Sequence, residues 1–411
     1  MNAPRPNLQI HRYVALTALA TLGLICLGGV VTSKGVGMAV PDWPNTYGYN
    51  MFFFPISSWV GGVFYEHTHR LWASMVGLLV LILSFWLYGT MSRRLLKWGG
   101  VVLFLFGVLT AVAVPQRTHD AIFLLGIGLA SAVASFFWPL NKPASPLLRR
   151  LGLVALGAVL IQGLLGGLRV VLDKYGLGVE FGVLHGALAQ MFFVVICTLV
   201  LLTSGWWSSL AEPSAQQGGW LRYFYLTVTA MILGQLVLGA AMRHQHAGLA
   251  IPDFPFAYGK FWPAMDEVSV AAYNSQRMET VAYNSITAFQ IGLQMAHRIM
   301  AGLILVAVVA AFVLTRRHLA NIPAVKKLTL CWLGLTLLQV FLGAATVWTN
   351  KSADIATGHV AVGALTLMVG SILTVISFRL IAPVRHLGKI SNDGSSLPRV
   401  RGASMVATNS K

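Results

Sequence analysis

The sequence predicts an all-α, polytopic membrane protein: a tandem duplication of a four-helix bundle plus an inserted helical hairpin, about 10 transmembrane helices in all. Three observations predict it. Of 411 residues, 56% are hydrophobic and only 10% are charged, which excludes an ordinary soluble protein. Runs of about 20 apolar residues, the length of a membrane span, recur along the chain. Two long polar stretches, about 33–66 and 243–290, match each other in sequence.

The spans fall at roughly 13–32, 70–89, 98–115, 120–138, 150–171, 183–203, 222–242, 293–315, 328–348 and 358–381. In lipid the backbone must bond to itself, so each is a helix. The first follows a short tail carrying Arg5 and Arg12 and could pass for a signal peptide, but it belongs to a repeat unit and is kept. The net charge of +17 raises nucleic acid as a partner. The basic residues are scattered through short loops instead, with Arg93, Arg94, Lys97, Arg149, Arg316 and Lys326 all on one side. That is the positive-inside pattern and puts both termini in the cytoplasm. Cys26, Cys197 and Cys331 lie within apolar runs and predict neither a disulfide nor a thiolate metal site.

Between the first two spans stands Gly37-Met38-Ala39-Val40-Pro41-Asp42-Trp43-Pro44, followed by Tyr47-Gly48. The later loop repeats it as Gly248-Leu249-Ala250-Ile251-Pro252-Asp253-Phe254-Pro255, followed by Tyr258-Gly259. Span beginnings match too. Gln162 to Gly167 parallels Gln339 to Ala344, and Leu27-Gly28-Gly29 parallels Leu238-Gly239-Ala240. Such small residues predict close helix packing. The division is then 1–205 for the first half, 220–382 for the second and 383–411 for a disordered cytoplasmic tail. The extra spans at about 98–138 are an insertion in the first half with no assigned role.

Four histidines occupy equivalent places. His69 and His297 open the second helix of each half, each followed by an arginine, Arg70 or Arg298. His185 and His359 open the fourth helix. Polar groups inside membrane spans are costly and usually functional. Two histidines from facing helices of a bundle can grip a haem iron from both sides. The arginines suit haem propionates or, alternatively, lipid headgroups. His67 aligns with Met295 and is set aside. His11, His119, His244, His246, His318 and His386 lack repeat partners and are assigned surface or interfacial places. The halves differ at one chemical position: Glu66 stands three residues before His69, whereas Gln294 stands before His297. The carboxylate serves chemistry in the first half, or sits as a charge at a helix N-terminus.

Taken together, the duplicated four-helix halves, Glu66-x-x-His69-Arg70, Leu184-His185-Gly186, His297-Arg298 and Gly358-His359 resemble the haem A synthase family over nearly the whole chain. The resemblance implies oxidation of a porphyrin ring methyl of haem O to the formyl of haem A by successive hydroxylations. It implies haem B as cofactor on His297 and His359, substrate haem O on His69 and His185, and Glu66 as the essential carboxylate. It implies neighbours in haem O synthesis and terminal oxidase assembly; the electron donor is unidentified, and the short N-terminus, not Ser-rich, favours a bacterial cell membrane over an organelle. The cysteine pairs of one family branch are missing from the outer loops here. The alternative is a di-haem b-type cytochrome exchanging electrons with quinone and carrying out no substrate chemistry; a haem carrier or sensor is a third class.

Overall fold

The computed structural model describes residues 7–139, 142–210, 214–215, 219–277 and 285–382. The tail 383–411 lies outside the described residues. Ten helices are long and apolar enough to cross a membrane. They are α1 (Leu8–Ser33), α2 (Gly61–Tyr88), α3 (Thr90–Ala113), α4 (Thr118–Phe137), α5 (Pro146–Leu172), α6 (Gly178–Thr203), α8 (Leu221–His244), α10 (Ala288–His318), α11 (Pro323–Trp348) and α12 (Ala353–Leu380). Two short helices, α7 (Gly205–Ser209) and α9 (Glu267–Ser275), lie in the connections. The residues after α7 and after α12 meet as a two-residue parallel pair, Ser214–Ala215 against Ile381–Ala382.

Helix starts follow local chemistry. Asn7 caps α1 by accepting from the backbone N–H of Gln9 and Ile10. Pro146 and Pro323 occupy first turns, where a missing N–H costs nothing. Thr287 and Gln290 form a reciprocal capping box on α10. Two starts differ most from the sequence expectation. α2 begins at Gly61, about three turns before the apolar run, so Glu66, His69 and Arg70 are all helical. The polar stretch can be helical there because the outer loop satisfies its side chains. α3 begins at Thr90, directly after Gly89, whose φ of 59° turns the chain in one residue.

α1, α2, α5 and α6 pack around one another, and α8, α10, α11 and α12 do the same. The two groups meet along α1 with α12, α6 with α8 and α6 with α12. Each group has its densest core at the end remote from the long loops. Val80, Leu83, Leu87 and Ile196 fill the first, and Tyr225, Val308, Trp332 and Leu373 the second. Ile25, Phe193, Cys197 and Ala364 fill the seam. The hairpin α3–α4 packs chiefly on itself. A methyl at Gly128 would stand 2.5 Å from Phe104 N, and one at Gly100 would stand 2.6 Å from Gly128 O, so these backbones touch only because both are glycine.

The two long loops carry the same bonds. Asp42 accepts from the N–H of Tyr47 and Gly48, as Asp253 does from Tyr258 and Gly259. The Tyr47 hydroxyl donates to Ala39 O and the Tyr258 hydroxyl to Ala250 O. Burial pushes the Tyr258 phenol up to about 12, so it stays a donor at physiological pH. The Trp43–Pro44 and Phe254–Pro255 peptide bonds are both cis.

Candidate functional site

The four histidines project from the loop-side halves of their helices into one cavity of about 1740 Å³, well above an ordinary small-molecule pocket. Each ring rests on a glycine of the helix before it. A methyl at Gly28 of α1 would stand 3.2 Å from Cε1 of His69. The same distance is 3.1 Å from Gly166 to His185, 3.3 Å from Gly239 to His297 and 3.1 Å from Gly343 to His359. The small-residue stretches therefore do something different from the expected helix packing. In the hairpin glycine meets backbone; here it makes room for an imidazole.

A hydrogen bond orients the His185 ring. Nδ1 of His185 lies 3.1 Å from the carbonyl oxygen of Gln162, which can only accept, so Nδ1 carries the hydrogen and Nε2 keeps its lone pair. The Gln162 amide donates back to His185 O at 2.9 Å, and Gln235 does the same to His297 O at 2.9 Å. Ring centres of His297 and His359 are 6.5 Å apart. An imidazole–metal bond is about 2.0 Å, and the ring centre lies about an ångström further back, so two rings across one ion have centres about 6 Å apart. The pair fits a bis-histidine metal. Among the described residues no three of His, Cys, Asp and Glu come together, so a metal held by such a pair would need its other ligands from a bound group.

Glu66 and Gln294 make the same contact. Glu66 Oε2 accepts the Val40 N–H at 2.9 Å, and Gln294 Oε1 accepts the Ile251 N–H at 2.6 Å. Each latches its loop down over the cavity. Glu66 adds an ion pair, Oε1 to Arg70 at 2.7 Å. It sits in the second turn of α2, so it is not the helix-terminal charge of the alternative reading. Arg70 also donates to the carbonyls of Val40, Asp42 and Asn45, and Arg298 to those of Asp253 and Phe256. Both arginines line the cavity while clamping loop turns. His67 points away, with Thr46 at 3.2 Å and between Phe54 and Trp59.

Some cavity residues were missed in the sequence. Arg169 on α5 and Arg243 on α8 line it. Arg243 crosses the seam to donate to Gly29 O at 2.9 Å and Ser33 Oγ at 3.1 Å. His244, assigned to the surface, is on the cavity wall against Gly182. Trp43, left out of the site, covers Gly167 and lines the cavity with Phe254. The signal for the arginines was available: a charge within or at the end of an apolar span is functional by default.

Fold and site together define a polytopic helical membrane protein with two histidine pairs facing one large cavity. Residues 123–370, well over half of the chain, match the family described as cytochrome oxidase assembly protein, and the chain belongs to that family. The match takes in His185, His297 and His359. The heme A synthase of Geobacillus kaustophilus is 24% identical over 379 residues, 91% of either chain. That of Beijerinckia indica subsp. indica is 29% identical over 231 residues, 54% of this chain and 60% of the relative.

Proposed function

We propose that this protein is a haem A synthase, which oxidises a ring methyl of haem O to the formyl group of haem A by successive hydroxylations. The observation that carries the reading is the fourfold cradle: two histidine pairs, each ring seated on a glycine, around one large apolar cavity. The first bundle (1–205) takes haem O, with its iron between His69 and His185. The second (220–382) holds haem B on His297 and His359, whose separation suits one iron. Bound there, haem B supplies one-electron transfer. The quinone-linked di-haem cytochrome is not favoured, since both relatives are called heme A synthase.

The chain's own residues then have separate roles. His185 is held by Gln162 with Nε2 free for iron. The Val40 and Ile251 latches close the outer loops over the macrocycles and exclude water. Arg70 and Arg298 flank the ligands and would supply positive charge to haem propionates; Arg169 and Arg243 add positive charge on the same wall. Glu66, ion-paired and at the first site only, is placed to stabilise cationic character at the substrate or to take its proton. The protein works in the cell membrane with both termini in the cytoplasm, beside haem O synthesis and terminal oxidase assembly. It draws on an electron donor not yet identified.

The test is expression with a haem O source and mass analysis of extracted haems. Haem A or hydroxylated haem O is expected; finding neither in a competent host sinks the proposal.

A further inference from the structure

The two bundles differ in what stands beside the histidines. α2 and α5 meet at their inner ends, where the Ser84 hydroxyl donates to Gly152 O at 3.0 Å. Toward the loops they part. A methyl at Gly77 of α2 or Gly163 of α5 would find nothing within 4 Å, and both glycines line the cavity that holds His69 and His185. Gly77 follows His69 by eight residues; eight after His297 stands Leu305. Gly163 precedes the His185 cradle, Gly166, by three; three before Gly343 stands Val340. The second bundle has bulk at both positions where the first has none.

The α3–α4 hairpin stands across this opening. It is pinned at the loop end by Asn50 Nδ2 donating to Asp120 Oδ1 at 2.9 Å and by Phe52 stacked on Phe123 at 4.8 Å. At the inner end the Ser92 hydroxyl donates to Phe85 O at 2.6 Å. Between the pins it stands off. Gly99 has nothing within 4 Å, and the cavity wall continues onto Leu103, Ile127, Ala130 and Ala134. Opposite, the α2 wall runs from Leu71 to Phe85, about 20 Å at 1.5 Å per residue. The groove is apolar and continuous with the site.

Resting on the haem O reading above, we propose that the gap at Gly77 and Gly163, with the groove beneath the hairpin, takes the farnesyl tail of haem O. Haem B carries no such tail, and in the bundle assigned to haem B the equivalent positions carry the larger Leu305 and Val340. The insertion thereby acquires a role, walling in a long isoprenoid chain that otherwise trails into lipid.

The test transplants the second bundle's residues into the first, as the double variant Gly77→Leu, Gly163→Val. A Cβ at either position meets nothing within 4 Å, and leucine and valine in place of glycine favour helix, so the fold is retained. Protein loaded with haem B in the second bundle is titrated at the first with haem O or with further haem B, following the Soret band. Wild type binds haem O more tightly than haem B. In the variant, haem O affinity falls about tenfold or more, which loss of about two buried methylenes already accounts for. Haem B affinity at the first site and the second-bundle spectrum stay as they were. Unchanged haem O affinity, or equal loss of both haems, overturns the assignment. Equal wild-type affinity for the two haems overturns it as well and leaves the groove to a lipid acyl chain. Wild type that makes no haem A refutes the enzyme reading instead, and the binding comparison still decides the groove.

Discussion

Glu66 and Gln294 separate structure from chemistry within one position. Both accept a loop N–H, and that contact needs an oxygen and no charge. Only Glu66 brings a carboxylate, held by Arg70 at 2.7 Å. Glu66→Gln therefore keeps an acceptor for Val40 and removes the charge. We expect it to fold and to retain second-bundle haem, with haem A yield down by about a hundredfold, the lower range for a lost proton-handling group. Glu66→Ala loses the same product and also leaves the Val40 N–H unpaired, at about 1–3 kcal/mol in a thermal melt. Wild-type yield from the Gln variant would reduce Glu66 to a latch.

Helix stripes of small residues look alike in sequence and serve two purposes here. Gly100 and Gly128 bring α3 and α4 into backbone contact, whereas Gly28, Gly166, Gly239 and Gly343 each receive a histidine ring. Gly343→Val is therefore expected to push His359 off its seat and abolish the bis-histidine haem spectrum of the second bundle. Gly334→Ala, on the same helix but in open space, should leave that spectrum intact and cost nothing, with helix propensity adding up to about 1 kcal/mol. Equal effects of the two would show that the cradle does not position the ring. The spans themselves were legible, because about 20 apolar residues admit few other readings. The start of α2 was not, since Glu66 to Arg70 becomes helical only once loop carbonyls and the Val40 N–H meet its side chains. Arg169 and Arg243 escaped because matching the halves selects duplicated residues, and their counterparts are Thr346 and Thr32. They serve an inner wall and a seam that the duplication does not repeat.

Across the whole molecule the two sites stand back to back. A methyl at Gly29, next to the His69 cradle, would lie 3.1 Å from the Thr357 side chain, two residues before His359. One at Gly186, next to His185, would lie 3.5 Å from the Ala240 Cβ, beside the His297 cradle. Each histidine of the first pair is thus linked to one of the second by residues whose helices approach closely, and Arg243 bonds across the same seam. On the haem assignment proposed above, such proximity would suit electron passage between the two sites. His359→Ala separates the proposed roles, because it removes one of the two histidines assigned to second-bundle haem and leaves His69, His185, Gly77 and Gly163 untouched. Extracted haem should show haem O still bound at wild-type stoichiometry, while haem A formation falls by about a hundredfold or more, the scale set by losing a component that acts as a unit with the rest. Haem A formed at the wild-type rate by a variant lacking second-bundle haem would mean that the first bundle works alone, and that the contacts across the seam hold the halves together without connecting their chemistry.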